Sequence, residues 1–176
     1  MNLYQSLIEY TPQWSRLEIQ WIVILLLVGL AAAWRLLRAR KIVWSQAVSG
    51  FCLLIALLMI FGTTVLTRAS GEEVQWQIRL FWSWQLALAG NREMLQEILL
   101  NVLLLLPVGV LLPLTLRRRL SWRQGLLIGV LISAMIELGQ LFWRRGLFEL
   151  DDILHNGVGC MLGCLIGSWC AGRWKR

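Results

Sequence analysis

A stretch of twenty residues, 137–156, gathers side chains of the types that carry out chemistry. Between apolar flanks it holds two arginines, four carboxylates, the chain's single histidine, a glutamine and an asparagine. These residues are Glu137, Gln140, Arg144, Arg145, Glu149, Asp151, Asp152, His155 and Asn156. Ionisable groups beside hydrocarbon cost several kcal/mol unless they are paired or hydrated, so the cluster suggests a functional site. The alternative is a solvated loop between two membrane helices.

The composition around this stretch is that of a membrane protein. Of the 176 residues, 58% are apolar and 15% are charged, whereas about a quarter of a soluble domain is charged. No linker or low-complexity run divides the chain, so we expect a single domain over residues 1–176. The first residues lack the basic region and cleavage site of a signal peptide. The first apolar segment is therefore expected to remain as an anchor.

Five apolar segments approach the roughly 20 residues that a helix needs to cross a bilayer. They are Ile19–Leu37, Gln46–Leu66, Glu97–Leu116, Gln124–Trp143 and Asp152–Ala171. The sequence thus predicts an all-α, polytopic bundle of about five transmembrane helices. Residues 1–45 supply the N-terminal span and a basic loop.

The basic residues predict how this bundle is oriented. Eleven of the 17 lysines and arginines fall within 35–41, 117–123 and 173–176, which lie on one side of the predicted bundle. The positive-inside rule makes that side cytoplasmic, with the N-terminus outside and the C-terminus inside. This topology accounts for the net charge of +7 without a nucleic-acid partner.

Three of the predicted spans each carry a carboxylate and an amide near the outer side. Residues three or four apart on a helix share a face, so each pair points the same way. The pairs are Glu97 with Asn101, Glu137 with Gln140, and Asp152 with Asn156. Single polar residues of this kind act as hydrogen-bonding glue, contributing roughly 0.6 to 2 kcal/mol each. Three pairs at one depth instead predict a shared polar pocket, because carboxylates brought together need protons, cations or arginines.

The residue types suggest three kinds of ligand for this pocket. Glu137 and Asp152 offer hard oxygen atoms to a divalent cation, but their spacing matches no loop signature and no metal site is assigned. Arg145, with Arg68 and Arg79, suits a phosphate or carboxylate. A pocket of arginines and carboxylates at headgroup level also suits an amphiphile with a polar head and a long apolar tail. No cofactor is assigned.

Two residues of the cluster have structural alternatives. Asp151 is placed to cap the N-terminus of the fifth helix, where a carboxylate accepts free N–H groups. A lone histidine such as His155 is more often an interfacial residue than a base. Both are kept as candidates.

The long loop between the second and third spans has a pattern of its own. From Val74 to Leu86, apolar and mostly polar residues alternate with a strand-like period of two. Hydrocarbon does not tolerate the unpaired backbone of a lone strand. We therefore expect this segment to cover the outer ends of the helices as a roof.

Small residues mark two helix faces. Glycines recur every four residues at Gly159, Gly163 and Gly167 in the fifth span, and Gly125 and Gly129 repeat the spacing in the fourth. Such faces let helices approach closely, within the chain or in a homo-oligomer through the fifth span. Cysteines at 52, 160 and 164 are expected to be buried and unpaired.

The polar residues lie in stretches that resemble the VanZ-like family of bacterial membrane proteins. The matching stretches are NVLLLLPVG at 101–109, SAMIELGQ at 133–140 and RGLFELDDILHNGVG at 145–159, with FWSW at 81–84 and GNR at 90–92. The resemblance covers about residues 60 to 167. One departure is Leu80-Phe81, where the family often has Ile-Pro-Phe.

This resemblance implies residence in the bacterial cytoplasmic membrane. For the family's namesake it implies low-level resistance to the lipid-tailed glycopeptide teicoplanin, but it supplies no agreed reaction. The shared polar positions of the family, carried onto this chain, are Asn101, Glu137, Gln140, Arg145, Asp152 and Asn156.

Two classes of function follow. The first is a binding protein for an amphiphile, either a lipoglycopeptide antibiotic or a lipid-linked cell-wall precursor, with Asn101, Gln140, Arg145, Glu149, Asp151 and Asn156 as ligand-binding candidates. The second is an intramembrane enzyme that modifies a lipid-linked substrate, with Glu137, Asp152 and His155 as catalytic candidates. In this enzyme Arg145 would clamp an anion. A proton-coupled transporter is less consistent with the chain, which has no inverted repeat.

Overall fold

The computed structural model describes residues 14–67 and 75–173. Five of its helices are long and apolar enough to cross a membrane, which confirms the predicted fold class. They are α1 (Arg16–Arg38), α2 (Trp44–Phe61, continued as a π-helix over Gly62–Leu66), α4 (Arg92–Leu116), α5 (Trp122–Phe142) and α6 (Leu150–Arg173). A short helix α3 (Trp82–Leu88) and the strands β1 (Gln75–Gln77) and β2 (Leu147–Glu149) complete the fold.

Side-chain caps decide where several helices begin. Ser15 and Ser121 start α1 and α5 with capping boxes, in which a side chain three residues later returns the hydrogen bond. Asn91 accepts from the N–H of Met94 and starts α4 at Arg92, before the predicted beginning at Glu97. The hydropathy pattern missed this first turn because it is polar, and the cap rather than the bilayer sets its position.

The helix α6 lies against both α4 and α5 and is the most buried of the five. Its three glycines face the backbone oxygens of Val102, Leu106 and Val110 on α4. A Cβ atom at any of these glycines would overlap a carbonyl group, so the close approach requires glycine. The predicted packing role of this face is confirmed, because α4 of the same chain packs against it. The homo-oligomer remains a prediction.

The cysteines divide between the core and the surface. Cys160 and Cys164 are fully buried on α6, where they pack with Leu105, Val108 and Ile136. Cys52 is exposed on α2, so its predicted burial is wrong. The apolar residues around Cys52 in the sequence indicate a membrane span, but this face of the span is not covered by other helices.

The loop before α4 folds in a way that the alternation predicted only in part. Of the segment 74–86, the strand comprises Gln75–Gln77, and its parallel partner is β2. This partner satisfies backbone groups that a lone strand would leave free. Phe81 then adopts a left-handed conformation with φ 60°, and α3 begins at the next residue. We refer to residues 75–91 as the roof segment; Val74 and Arg68 lie outside the described residues.

The two ends of the bundle differ in chemistry. At one end, which we call the basic end, lie the connections after α1 and after α4. Gln46 Nε2 donates to the backbone oxygen of Thr115 at 3.0 Å, which joins α2 to α4. The N–H of Leu120 donates to Ser168 Oγ at 2.9 Å, which joins the connection after α4 to α6. At the other end, the polar end, lie the roof segment and residues 137–156. The outward orientation of the polar end remains a prediction.

Candidate functional site

A chain of hydrogen bonds joins three spans at the polar end. Asn101 Nδ2 on α4 donates to Asp152 Oδ1 on α6 at 2.6 Å. Asn156 Nδ2, one turn further along α6, donates to Ser133 Oγ on α5 at 2.9 Å. The Ser133 hydroxyl lies 3.5 Å from the backbone oxygen of Asp152. The structure therefore brings Asn101, Asp152 and Asn156 into one cluster.

The carboxylate of Glu137 fixes the approach to α6. It is 2% exposed, and its Oε2 accepts the backbone N–H of Glu149 at 2.9 Å. A charged acceptor of this kind makes a stronger hydrogen bond than a neutral one. Glu137 thus holds β2 against α5 and places the side chain of Glu149 beside the start of α6.

Glu149 is the carboxyl group with the most unusual environment. It is 8% exposed. Burial, followed by the nearby carboxylates of Asp152 and Glu97, raises the pKa of Glu149 from 4.5 to about 7. The indole of Trp82 lowers the pKa and partly offsets this rise. Glu149 therefore exchanges a proton near neutral pH.

Asp151 is occupied by the roof segment. Its Oδ1 accepts the N–H of Phe81 at 2.6 Å, and its Oδ2 accepts the N–H and the hydroxyl of Ser83 at 3.1 and 2.6 Å. These bonds cap the N-terminus of α3, a different helix from the one that the sequence suggested. These three hydrogen bonds anchor the roof segment to the start of α6.

His155 faces the same roof segment. Its Nε2 accepts from the indole N–H of Trp84 at 2.9 Å, and the two rings meet edge to face with centroids 5.9 Å apart. This bond assigns the proton of the neutral imidazole to Nδ1. The ring is buried, and the Nδ1 donor has no hydrogen-bond partner within residues 14–67 and 75–173.

Gln140 and Arg145 donate hydrogen bonds to the C-terminal end of α2. Gln140 Nε2 donates to the backbone oxygen of Thr64 at 2.9 Å. The Arg145 guanidinium donates to the backbone oxygens of Leu66 and, at 3.4 Å, Val65. The last carbonyl groups of a helix lack partners within it, and these two side chains supply them. Arg145 Nη1 therefore closes a helix end, and the anion clamp remains a prediction.

Of the other arginines proposed for an anion, Arg79 is exposed in the roof segment. Arg144, which was not part of that proposal, is exposed with a left-handed φ of 53°. Arg68 lies outside the described residues. In the parts of the chain at 14–67 and 75–173, no group of three or more histidine, cysteine, aspartate or glutamate residues is arranged to hold a metal ion.

His155 Nδ1, a donor, and Asn156 Oδ1, an acceptor, are buried and lack hydrogen-bond partners among the described residues. Buried groups of this kind are uncommon in folded proteins. Together with the carboxylates of Glu149 and Asp152, they form a set that suits hydroxyl, amide or amine groups better than a phosphate.

Several of these residues were not predicted. Ser133 joins two candidates, and Ser83, Trp82 and Trp84 connect the roof segment to the cluster. A serine in an apolar span resembles ordinary packing, and the tryptophans resemble interfacial anchors. The family resemblance could have indicated these residues, because FWSW at 81–84 and SAMIELGQ at 133–140 are among its motifs.

Comparison with known proteins supports the resemblance and extends it. The family model described as VanZ/LLP1 matches residues 4–171, nearly the whole chain. The match includes the first span, which lies outside the region of about residues 60 to 167 that carries the resemblance. No curated protein and no solved structure matches the chain.

Proposed function

Because this chain belongs to the VanZ/LLP1 family, we propose that it is a multi-pass membrane protein that binds the polar head of an amphiphile at its polar end. The apolar tail of the ligand stays in the bilayer beside the helices. The ligand is a lipoglycopeptide antibiotic or a lipid-linked cell-wall precursor. The role is envelope maintenance or resistance of the teicoplanin type.

One observation carries this proposal. Side chains from α4, α5 and α6 form a single cluster, and within it Asn156 Oδ1 and His155 Nδ1 have no hydrogen-bond partner in the part of the chain that the structure describes. Burying such atoms without a hydrogen bond costs roughly 1 to 3 kcal/mol each. A ligand that supplies one donor and one acceptor would recover this energy, which favours a head group rich in hydroxyl or amide groups.

The charge of the cluster further restricts the ligand. Glu97, Glu149, Asp151 and Asp152 bring four carboxylates close together, as their combined effect on Glu149 indicates. Arg145 is directed at backbone oxygens. This arrangement supports a neutral or cationic head group, such as the sugars and amines of a lipid-tailed glycopeptide, over a bare phosphate.

A second candidate is an intramembrane enzyme acting on a lipid-linked substrate. The observation that favours it is the pKa of Glu149 at about 7, which suits a general acid or base at neutral pH. Glu137 and Asp152 would then orient Glu149 and the substrate. In this enzyme Glu149 would be the group that transfers the proton.

Amide substitutions separate the two candidates. We would express the wild type, Glu149→Gln and Asp152→Asn at equal levels in a susceptible bacterium and measure the inhibitory concentrations of a lipid-tailed and an untailed glycopeptide. A binder predicts protection biased toward the tailed drug and retained in part by the amides, since an amide keeps shape and hydrogen bonding. An enzyme predicts loss of protection in Glu149→Gln.

Glu93→Gln is the matched control, because Glu93 is exposed in the first turn of α4. It should protect as the wild type does. Cross-linking to a photoactivatable, lipid-tailed glycopeptide would test contact directly, with labelled peptides expected within 81–101 or 133–156. Equal protection against both drugs, together with labelling confined to other parts of the chain, would rule out the proposed site.

A further inference from the structure

A cleft at the basic end separates α1 from α2. Its volume is about 660 Å³, within the roughly 300 to 1,000 Å³ of ligand-binding clefts. The lining is apolar and includes Leu27, Trp34, Leu37, Trp44 and Phe51. None of the residues of α1 is buried, so this helix stands away from the bundle along the cleft.

A second cleft lies on the other side of α2. Its volume is about 420 Å³, and it is lined by α2 together with Leu111 and Leu114 of α4. Both clefts include Trp44, Val48 and Cys52, which lie four residues apart on one face of α2. These three residues therefore form a ridge with an apolar groove on each side.

Four cations lie in residues 35–41, next in sequence to the end of α1 that lines the first cleft. Arg35, Arg38, Arg40 and Lys41 are all exposed, and the guanidinium carbon of Arg38 lies 5.5 Å from the ring centre of Trp34, which lines the cleft. The sequence has no acidic residue between Glu18 and Glu72. The acidic residues of α1 and α4, which are Glu18, Glu93 and Glu97, lie near the starts of these helices, whereas the cations lie at and beyond the C-terminal end of α1.

We propose that this end of the protein binds one diacyl phospholipid with an anionic head group. The two acyl chains occupy the two grooves on either side of the ridge, and the phosphate lies against Arg38 and Lys41. Basic residues near a membrane surface attract anionic lipids by about 1 kcal/mol each. The inference is independent of the function proposed for the polar end, which uses other residues at the opposite end of the bundle.

Native mass spectrometry of the full chain in detergent tests this site. The probes are phosphatidylglycerol, phosphatidylcholine with the same acyl chains, and single-chain lysophosphatidylglycerol. We expect one phosphatidylglycerol to bind about tenfold more tightly than either of the other two. The double variant Arg38→Ala/Lys41→Ala should lower that affinity by about 25-fold, since each cation accounts for about fivefold.

Two further variants keep the test specific. Arg16→Ala/Arg92→Ala removes two exposed cations from the opposite end and should bind as the wild type does. Cys52→Trp adds bulk on the ridge at an exposed position and should weaken binding of all three lipids without lowering the melting temperature. Equal affinity for phosphatidylglycerol and phosphatidylcholine, or an unchanged Arg38→Ala/Lys41→Ala variant, would overturn the proposal. A lipid-free dimer would assign the grooves to a second copy instead.

Discussion

The three-helix unit of α4, α5 and α6 and the outer pair of α1 and α2 have similarly apolar sequences but differ in how much of each helix is buried. In the most apolar stretch of α6, 50% of the residues are buried, compared with none in α1. Yet α6 is the least apolar of the five spans. Lipid tails are as apolar as leucine, so hydropathy identifies contact with the membrane. Small and polar side chains identify contact between helices.

The most direct test of this contrast is a substitution of one glycine on α6. In Gly159→Ala the new Cβ would overlap the carbonyl group of Val102, and neither backbone can yield easily. We expect the free energy of unfolding to fall by about 3 kcal/mol, measured by denaturation in mixed micelles. Gly29→Ala on α1 is the control, because its Cβ meets the flexible end of Leu54. Equal losses in both variants would contradict the division into tight and loose units.

The roof segment offers the next largest effect. Asp151→Ala removes a buried acceptor of three hydrogen bonds, and leaves the N–H groups of Phe81 and Ser83 without it. A loss of about 2 kcal/mol is expected, with faster hydrogen exchange over 81–88 and little change in α1. Exchange that stays slow in α3 would show that the roof segment is held by other contacts.

Protonation of Glu149 should link stability to pH. Its pKa rises from 4.5 to about 7 on folding, so the folded protein holds a proton that the unfolded chain releases. The folded state is therefore favoured fully below pH 4.5, and this contribution is lost as the pH rises through about 7. We expect a fall on the order of 2 kcal/mol across this window. Glu149→Gln should flatten the profile, and an unchanged slope would assign it to another group.

The smallest effect is expected at the ring pair above α6. Trp84→Phe keeps an aromatic ring but removes the donor to His155 Nε2, at a cost of about 1 kcal/mol in the free energy of unfolding. Trp76→Phe in β1 is a suitable comparison, since Trp76 is exposed. A loss in Trp76→Phe as large as that in Trp84→Phe would show that the hydrogen bond contributes nothing of its own.

Much of this architecture could be predicted from the sequence. The five spans follow from long apolar runs, and the glycine faces follow from a spacing of four residues. The meeting of Asn101 with Asp152 follows from equal depth on neighbouring helices. These features depend on local periodicity, which the chain displays directly.

The remainder depends on pairings between distant residues. Nothing in the sequence around Arg145 indicates that it would close α2, some 80 residues earlier, or that Asp151 would cap α3. The same residue types suit a ligand, a helix end or a loop, and three-dimensional contact alone selects among them. The strand in the roof segment is likewise shorter than the alternating pattern predicted, because β2 offers only three residues for pairing.

The neighbouring positions of Asp151 and Asp152 have a mechanical consequence. One carboxylate grips the roof segment and the next contacts Asn101 on α4, with a single peptide bond between them. A rotation of the first turn of α6 that changes the direction of the Asp152 side chain must therefore also displace α3. A ligand that displaced Asp152 would therefore also shift the roof segment.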